Sequence, residues 1–391
     1  MTVGPHWRLC LQRGKWFVPV LVILQLVACA PVPSKPYGQL ARLTDGKPVK
    51  RHWVMVFVAE RDSSGRGHKL AVSEDTVYRV NQRGLVSAFD RENGKYLWKT
   101  HTGRRLIGDP GIADDALLLG TRDGSLLALR RDSGAVLWET PVSSEILAAP
   151  RYAAGRALVH TVDGKIIAMG AKDGSWLWQY DSAVPLLSLH GTSSPGVMPD
   201  RVLGGLANGK LVVLNLEDGQ VRWQYNVAVP TGRSELERMV DVDATPLHRD
   251  GTVFAAAFNG RVVALTARTG RLIWSRDMSS SVDMAVDDSR LFVTDNDGLV
   301  WALDQKNGAV LWKQDDLQFR QVTGPAVAGD YVAVADVEGY VHWLDRFTGQ
   351  FVARHRVDHR PVDNPPVAVN NTIYVTSRGG VIDALEVPGN Q

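Results

Sequence analysis

Apolar residues along this chain fall into short runs of about five, grouped in fours and separated by glycine-bearing corners. In one group the runs are Pro110–Ala113, Ala116–Leu119, Ser125–Leu129 and Ala135–Trp138, with Asp123-Gly124 and Ser133-Gly134 between them. Runs of this length predict β-strands, and Asp-Gly or Ser-Gly corners supply the positive φ that tight hairpins need. The group then repeats. A glycine is followed four residues later by tryptophan at Gly94/Trp98, Gly134/Trp138, Gly174/Trp178, Gly219/Trp223, Gly270/Trp274 and Gly308/Trp312, with successive tryptophans 40, 40, 45, 51 and 38 residues apart. The glycine that opens the third run recurs at Gly84, Gly124, Gly164, Gly209, Gly260, Gly298, Gly339 and Gly380. Four antiparallel strands per repeat of about 40 residues make a propeller blade, so the chain is expected to be all-β, a single eight-bladed β-propeller.

Tryptophans at this pitch are expected to be wedges between blades: Trp98, Trp138, Trp178, Trp223, Trp274 and Trp312. Burying about 150–250 Å² of each at ~25 cal/mol/Å² is worth roughly 4–6 kcal/mol as an upper bound. The neighbouring glycine in each pair is expected to let backbone approach the ring. The seventh repeat has Ala353 where tryptophan belongs, which leaves Trp343 as a candidate wedge. The eighth repeat ends after its third run, Val381–Leu385, and the unassigned run Trp53–Val58 is available as its fourth strand. Joining the two ends in one blade closes the ring and removes its open edge.

The first 28 residues have a different character. Arg8, Arg13 and Lys15 precede an apolar core, Trp16–Leu26, interrupted by Pro19, and then comes Leu26-Val-Ala-Cys29. Small residues before a cysteine at the end of a secretory signal predict lipoprotein processing, with cleavage before Cys29 and lipid on its sulfur. An ordinary signal peptide with an incidental cysteine is the alternative; a transmembrane anchor would need a longer apolar stretch. The expected organisation is a cleaved signal at 1–28, a lipidated cysteine and flexible tether at 29–50, and the propeller at 51–387. Pro31, Pro33, Pro36, Ser34 and Gly38 give the tether a composition too poor in apolar residues to fold. Cleavage leaves Cys29 as the sole cysteine and excludes an internal disulfide, so stability must come from packing. It also takes the formal charge from +2 to −1, which leaves no basic field for nucleic acid.

Several stretches imitate chemistry without completing it. Gly204–Lys210 nearly spells a phosphate-binding loop, but Leu211 replaces the metal-binding hydroxyl and no helix follows. Asp295-Asn-Asp-Gly298 is half a calcium loop at a repeated hairpin corner. His355 and His359 lie on a strand and its following loop rather than on one helix face. No metal, cofactor or catalytic residue is therefore expected. The repeat itself resembles that of the quinoprotein alcohol and glucose dehydrogenases, whose Ala-x-Asp-x-x-x-Gly-x-x-x-Trp motif appears here as Ala88, Asp90, Gly94, Trp98 and as Ala302, Asp304, Gly308, Trp312. That resemblance implies the rival reading, a quinone-dependent (PQQ) dehydrogenase or ligand-binding propeller using the central channel. The adjacent cysteine pair on which some of those enzymes stack their quinone has no counterpart.

Two adjacent junctions are longer than the rest, at Val184–Pro199 and Val227–Thr245, and both join a fourth strand to the next first strand. They are expected side by side on one face, where added loops on a rigid scaffold carry function. The first contains Leu187, Leu189 and His190. The second contains Ser234-Glu-Leu-Glu237, a capping-box match expected to start a short helix, and the acidic pair Asp241 and Asp243. Apolar anchors beside an acidic pair describe a protein-docking surface. Completion of a blade core by the leucines and turn-capping by the aspartates are the alternatives. With the lipobox and eight trimmed blades, Pro185–Gly191 and Thr231–Pro246 resemble the BamB family, propeller lipoproteins of the outer-membrane β-barrel assembly (BAM) machinery. The likeness covers essentially the whole mature chain. It implies a non-catalytic scaffold that promotes folding and insertion of outer-membrane proteins. It further implies lipid anchoring at the periplasmic face of the outer membrane, and docking on the periplasmic POTRA domains of BamA and on other BAM components. Leu187, Leu189, His190, Asp241 and Asp243 match the family's docking positions, with His190 where the family has arginine. Nascent outer-membrane proteins are a further possible partner, through the outer blade edges.

Overall fold

The computed structural model describes residues 37–58, 68–188 and 192–387, all within one unit, Tyr37–Gln391. Among them are 32 strands and no helix, arranged as eight four-stranded antiparallel sheets. Seven sheets run in chain order; for example, one blade is Gly111–Ile112, Ala116–Gly120, Ser125–Arg130 and Val136–Pro141. The blades are numbered 1 to 8 from Ala71 onward. Blade 8 takes Val367–Val369, Thr372–Thr376 and Val381–Glu386 from the C-terminal end and Lys50–Val56 from the other, with Trp53 opposite Ala384.

Burial follows from this stacking. Second and third strands have neighbouring sheets on both faces and are continuously apolar: every residue of Ala116–Gly120 is buried. Fourth strands form the rim and alternate, as in Trp176–Asp181. The core is divided into eight apolar clusters, one per blade junction; one joins Ile382 and Ala384 of blade 8 to Val77 and Phe89 of blade 1. The ring is closed.

Each wedge tryptophan serves the next blade. Trp98 donates its indole N–H to the Arg131 carbonyl at 2.8 Å, and Trp138, Trp178, Trp223, Trp274 and Trp312 donate likewise to Ala171, Leu216, Ala267, Gln305 and Arg346. Trp53 in the closing strand does the same to Arg91. The glycine under each ring is therefore not the one four residues upstream. It is the glycine of the following blade's last hairpin: a methyl on Gly134 would lie 2.5 Å from the Trp98 ring, and its φ of +69° also suits glycine.

Across the third and fourth strands an alanine faces the tryptophan, as Ala88 opposite Trp98 and Ala128 opposite Trp138, except in blade 4, where Val213 faces Trp223. Blade 7 reverses the pair, with Trp343 opposite Ala353. Topology gives the reason. Blade 8 has no hairpin between its third and fourth strands, because those come from opposite ends of the chain. A rim tryptophan on blade 7 would find neither the carbonyl nor the glycine its counterparts use. Trp343, fully buried on the inner strand, fills that junction instead.

Residues 37–49, expected as flexible tether, lie against blade 7. The Gly38 and Ala41 carbonyls accept from Arg320 and Arg354 at 2.8 Å each, and Leu40 packs into the junction of blades 6 and 7. Composition alone missed this, because these contacts depend on partners about 300 residues away.

Candidate functional site

Strands alternate in direction, so corners between second and third strands share a face with the connections between blades. Hydrogen bonds join the two sets, as from the Val337 amide to the Arg320 carbonyl at 3.1 Å. Both long inserts emerge on this face, between Asp181 and Gly196 and between Asn226 and Leu247.

At six blades the corner after the second strand begins with a polar side chain that accepts the backbone N–H four residues on. These are Asn81, Thr121, Thr161, Asp295, Asp336 and Ser377, at 2.8–3.2 Å. Blades 4 and 5 carry Leu206 and Ala257 there instead. These are the blades beneath the inserts. Their corners are roofed by the second insert, whose Val240 and Val242 are buried with Val227 and Ala228 in the junction core. Backbone bonds fix the roof: the Val242 amide donates to the Leu206 carbonyl at 3.3 Å, and the Asp241 carbonyl accepts from the Phe258 amide at 2.7 Å. This exchange of a polar corner for an apolar one was visible on aligning the repeats, and marks where the inserts sit.

The first insert is held from below. His160 ends the second strand of blade 3, is 4% exposed, and places Nδ1 3.2 Å from the Ser193 carbonyl. The Ser193 hydroxyl donates to the Gly205 carbonyl at 3.1 Å. Burial pushes the His160 imidazole down to about 4, against the smaller upward pull of the Ser193 carbonyl and the Asp163 carboxylate. Corresponding positions in other blades carry no histidine (Val80, Gly120, Gly205, Ala256), so this too was a readable departure from the repeat.

The predicted site residues separate into two layers. Leu187 is half exposed at 48%, Leu186 beside it is fully exposed, and Leu236 on the second insert is 68% exposed. Leu189 and His190 lie outside the described residues, as does Cys29. Asp241, expected as surface charge, is only 2% exposed, and Asp243 is part-buried. The segment 240–245 is drawn inward by its valines, which takes Asp241 with it. Asp241 instead lines a cleft shared by both inserts, with His160, Ser182, Val184, Ser188 and Thr192. The capping box forms, with the Glu237 carboxylate accepting from the Arg233 and Ser234 amides and the Ser234 hydroxyl accepting from the Glu237 amide. Those amides hold the Glu237 carboxyl below its usual range. The helix it was expected to start is a single turn, since Val240 leaves it at once for the core.

The first strands enclose a channel of about 620 Å³. At the insert face Lys69 of blade 1 reaches across it to Asp283 before blade 6, at 3.1 Å, while its amide donates to Asp109 at 2.8 Å. Burial raises the Asp109 carboxyl; at Asp283 Lys69 and the Thr245 amide overcome burial and hold the carboxyl at about 2. No group of three or more His, Cys, Asp or Glu among the described residues is arranged to hold a metal ion. Asp295 caps its corner through the Asp297 and Leu299 amides, and His355 pairs with Asp383 at 3.4 Å.

A family model described as outer membrane protein assembly factor BamB matches residues 46–129, 82–314 and 308–390. Proteins so named from Kangiella koreensis and Alkalilimnicola ehrlichii are 40% and 43% identical, over 95% and 97% of this chain and 96% and 98% of their own lengths. That of Pseudomonas aeruginosa is 42% identical over 93% of this chain and 96% of its own. The crystal structure of BamB from Moraxella catarrhalis superposes with a TM-score of 0.79 at 27% identity, covering 87% of this chain and all of that one. A quinohemoprotein alcohol dehydrogenase from Pseudomonas putida superposes at 0.68 with 14% identity over 91% of this chain and 79% of its own, a likeness of fold alone.

Proposed function

The chain belongs to the BamB family of outer membrane protein assembly factors, and from that premise we propose that its paired inserts dock the propeller on the periplasmic POTRA domains of BamA. It is a non-catalytic scaffold of outer-membrane protein assembly, associated with the outer membrane. The observation that carries the docking proposal is the convergence of two inserts on one face, the first exposing Leu186 and Leu187 and the second exposing Leu236, with a cleft between them that Asp241 lines. Exposed leucines grouped on a rigid support are apolar anchors, and a carboxylate in the cleft beside them selects a donor group on the partner. By the family resemblance, Leu189, His190 and Asp243 are proposed to take part in the same docking. Lipid on Cys29 would then hold the protein at the periplasmic face. Any imidazolium charge at His190 depends on pH, unlike the arginine it replaces.

Titration calorimetry of the lipid-free mature chain against the partner's periplasmic domains tests the docking. Truncating Leu187 and Leu236 together to alanine should weaken binding about 10–100-fold without unfolding the propeller. Asp241→Asn should weaken it separately. Equal affinity in all three proteins would move the interface elsewhere.

A further inference from the structure

Where the chain leaves the propeller is set by a buried polar device that the docking reading does not use. Arg320, on the connection between blades 6 and 7, is 1% exposed; it donates to Asp336 at 2.8 Å, pairs with Glu338, and gives its remaining group to the Gly38 carbonyl. His342, fully buried, faces Asp336 at 3.0 Å and accepts from Arg354 at 3.1 Å, while Arg354 in turn donates to the Ala41 carbonyl. The Arg320 guanidinium also lies over the Tyr37 ring, 5.6 Å from its centre. Blades 2 to 5 have apolar Leu127, Ile167, Val212 and Val263 at the place of His342, while blades 1 and 8 have Ser87 and Asp383. A buried network of this kind is satisfied only while residues 38–41 are in place. The segment then crosses the rim: the Lys47 amide donates to the Val352 carbonyl at 2.8 Å and the Lys47 ammonium to the Tyr331 hydroxyl at 2.7 Å. Arg320 sits on the insert face, and Tyr331 opens a second strand on the opposite face. Residues 37–47 thus run from the insert face to the other face before entering the closing strand.

We propose that residues 37–47 are a fixed strap, which makes the membrane tether leave the propeller from the same face as the docking inserts, at the junction of blades 6 and 7. The proposal rests on lipidation of Cys29. Seven residues separate Cys29 from Tyr37, eight steps along the chain with a reach of at most about 29 Å at ~3.3–3.6 Å per residue. The bilayer and the protein partner therefore meet one face of the propeller, with the tether two to three blades around the ring from the inserts, and the other face points into the periplasm.

The test places a fluorophore on the lipidated full chain in phosphatidylethanolamine–phosphatidylglycerol vesicles carrying a headgroup acceptor. Lipid occupies the thiol of Cys29, so a single introduced cysteine is labelled, at Asp297→Cys on the insert face or Lys306→Cys on the opposite face of the same blade. The faces are a strand length apart, about 17–20 Å, and transfer from Asp297→Cys should be about twofold or more higher. Freeing the strap with Tyr37→Ser and Leu40→Asp, which leaves the blades intact, should remove the difference. Equal transfer in the parent, or stronger transfer from Lys306→Cys, overturns the proposal. Failure to associate with vesicles would refute lipid anchoring instead. Spin-label distances in the soluble Cys29→Ser chain then decide the strap alone, with Gly38→Cys, where a side chain meets nothing closer than ordinary contact, nearer Asp297→Cys if it holds and no nearer to it than to Lys306→Cys if it does not.

Discussion

Lowering the pH from 7 to 5 should cost this propeller about 2 kcal/mol through His160 alone. In the folded chain the imidazole is buried and titrates at about 4; unfolded, it returns to 6.5. Between those values the unfolded chain binds a proton that the native state refuses, so stability rises with pH. The contribution is intact above 6.5, falls through the window, and is fully lost below 4. The whole difference is worth roughly 3.4 kcal/mol at ~1.36 kcal/mol per pKa unit, of which about 2 is gone by pH 5. The group is almost wholly enclosed, so solvent screening does not reduce this much. Asp163 is the charged group facing it, and the Ser193 carbonyl is its hydrogen-bond partner. The assay is urea unfolding followed by tryptophan fluorescence at both pH values, for the parent and for His160→Gln, which keeps a donor for Ser193. Carboxylates titrate alike in both proteins and cancel in the difference. Because Ser193 anchors the first insert, docking by the parent should weaken in the same window, and docking by the variant should not. A variant that loses as much stability as the parent between pH 7 and pH 5 would refute the reasoning.

Two further substitutions probe the ring. Trp53→Ala removes the wedge of the closing strand together with its bond to Arg91, and should cost about 3–5 kcal/mol in chemical or thermal unfolding; a loss below about 1 would show that closure rests on the strand ladder alone. Ala353→Trp restores the consensus of the other blades, yet should destabilise by about 1–3 kcal/mol, since Trp343 already fills the space and blade 8 offers no hairpin to receive a second indole; a raised melting temperature would contradict this account of the missing wedge.

The shared fold explains why the rival reading arose. Quinoprotein propellers and this chain use the same blade grammar, so the Gly-x-x-x-Trp repeat speaks to stacking and is silent on chemistry. In this chain the departures from the repeat gather elsewhere, at the two inserts and at blade 7.

Sequence by itself determined the blade count, the closing strand and the two inserts. Alternation, turn residues and repeat period act over a few neighbouring positions, and Asp123-Gly124 makes its corner wherever the blade ends up. Aligned repeats also carried signals that went unread, in Leu206, Ala257 and His160, because each is ordinary alone and informative only beside its counterparts. Tertiary structure decided which tryptophan meets which glycine, since the partner of Trp98 lies in the next blade. It decided that Asp241 turns inward, because Val240 and Val242 on either side gain more from the junction core than the carboxylate gains from solvent. It also decided that Gly38 and Ala41 are strapped to Arg320 and Arg354, residues about 300 positions distant. Those outcomes depend on what the closed ring brings within a few ångströms, and no local pattern encodes distance across it.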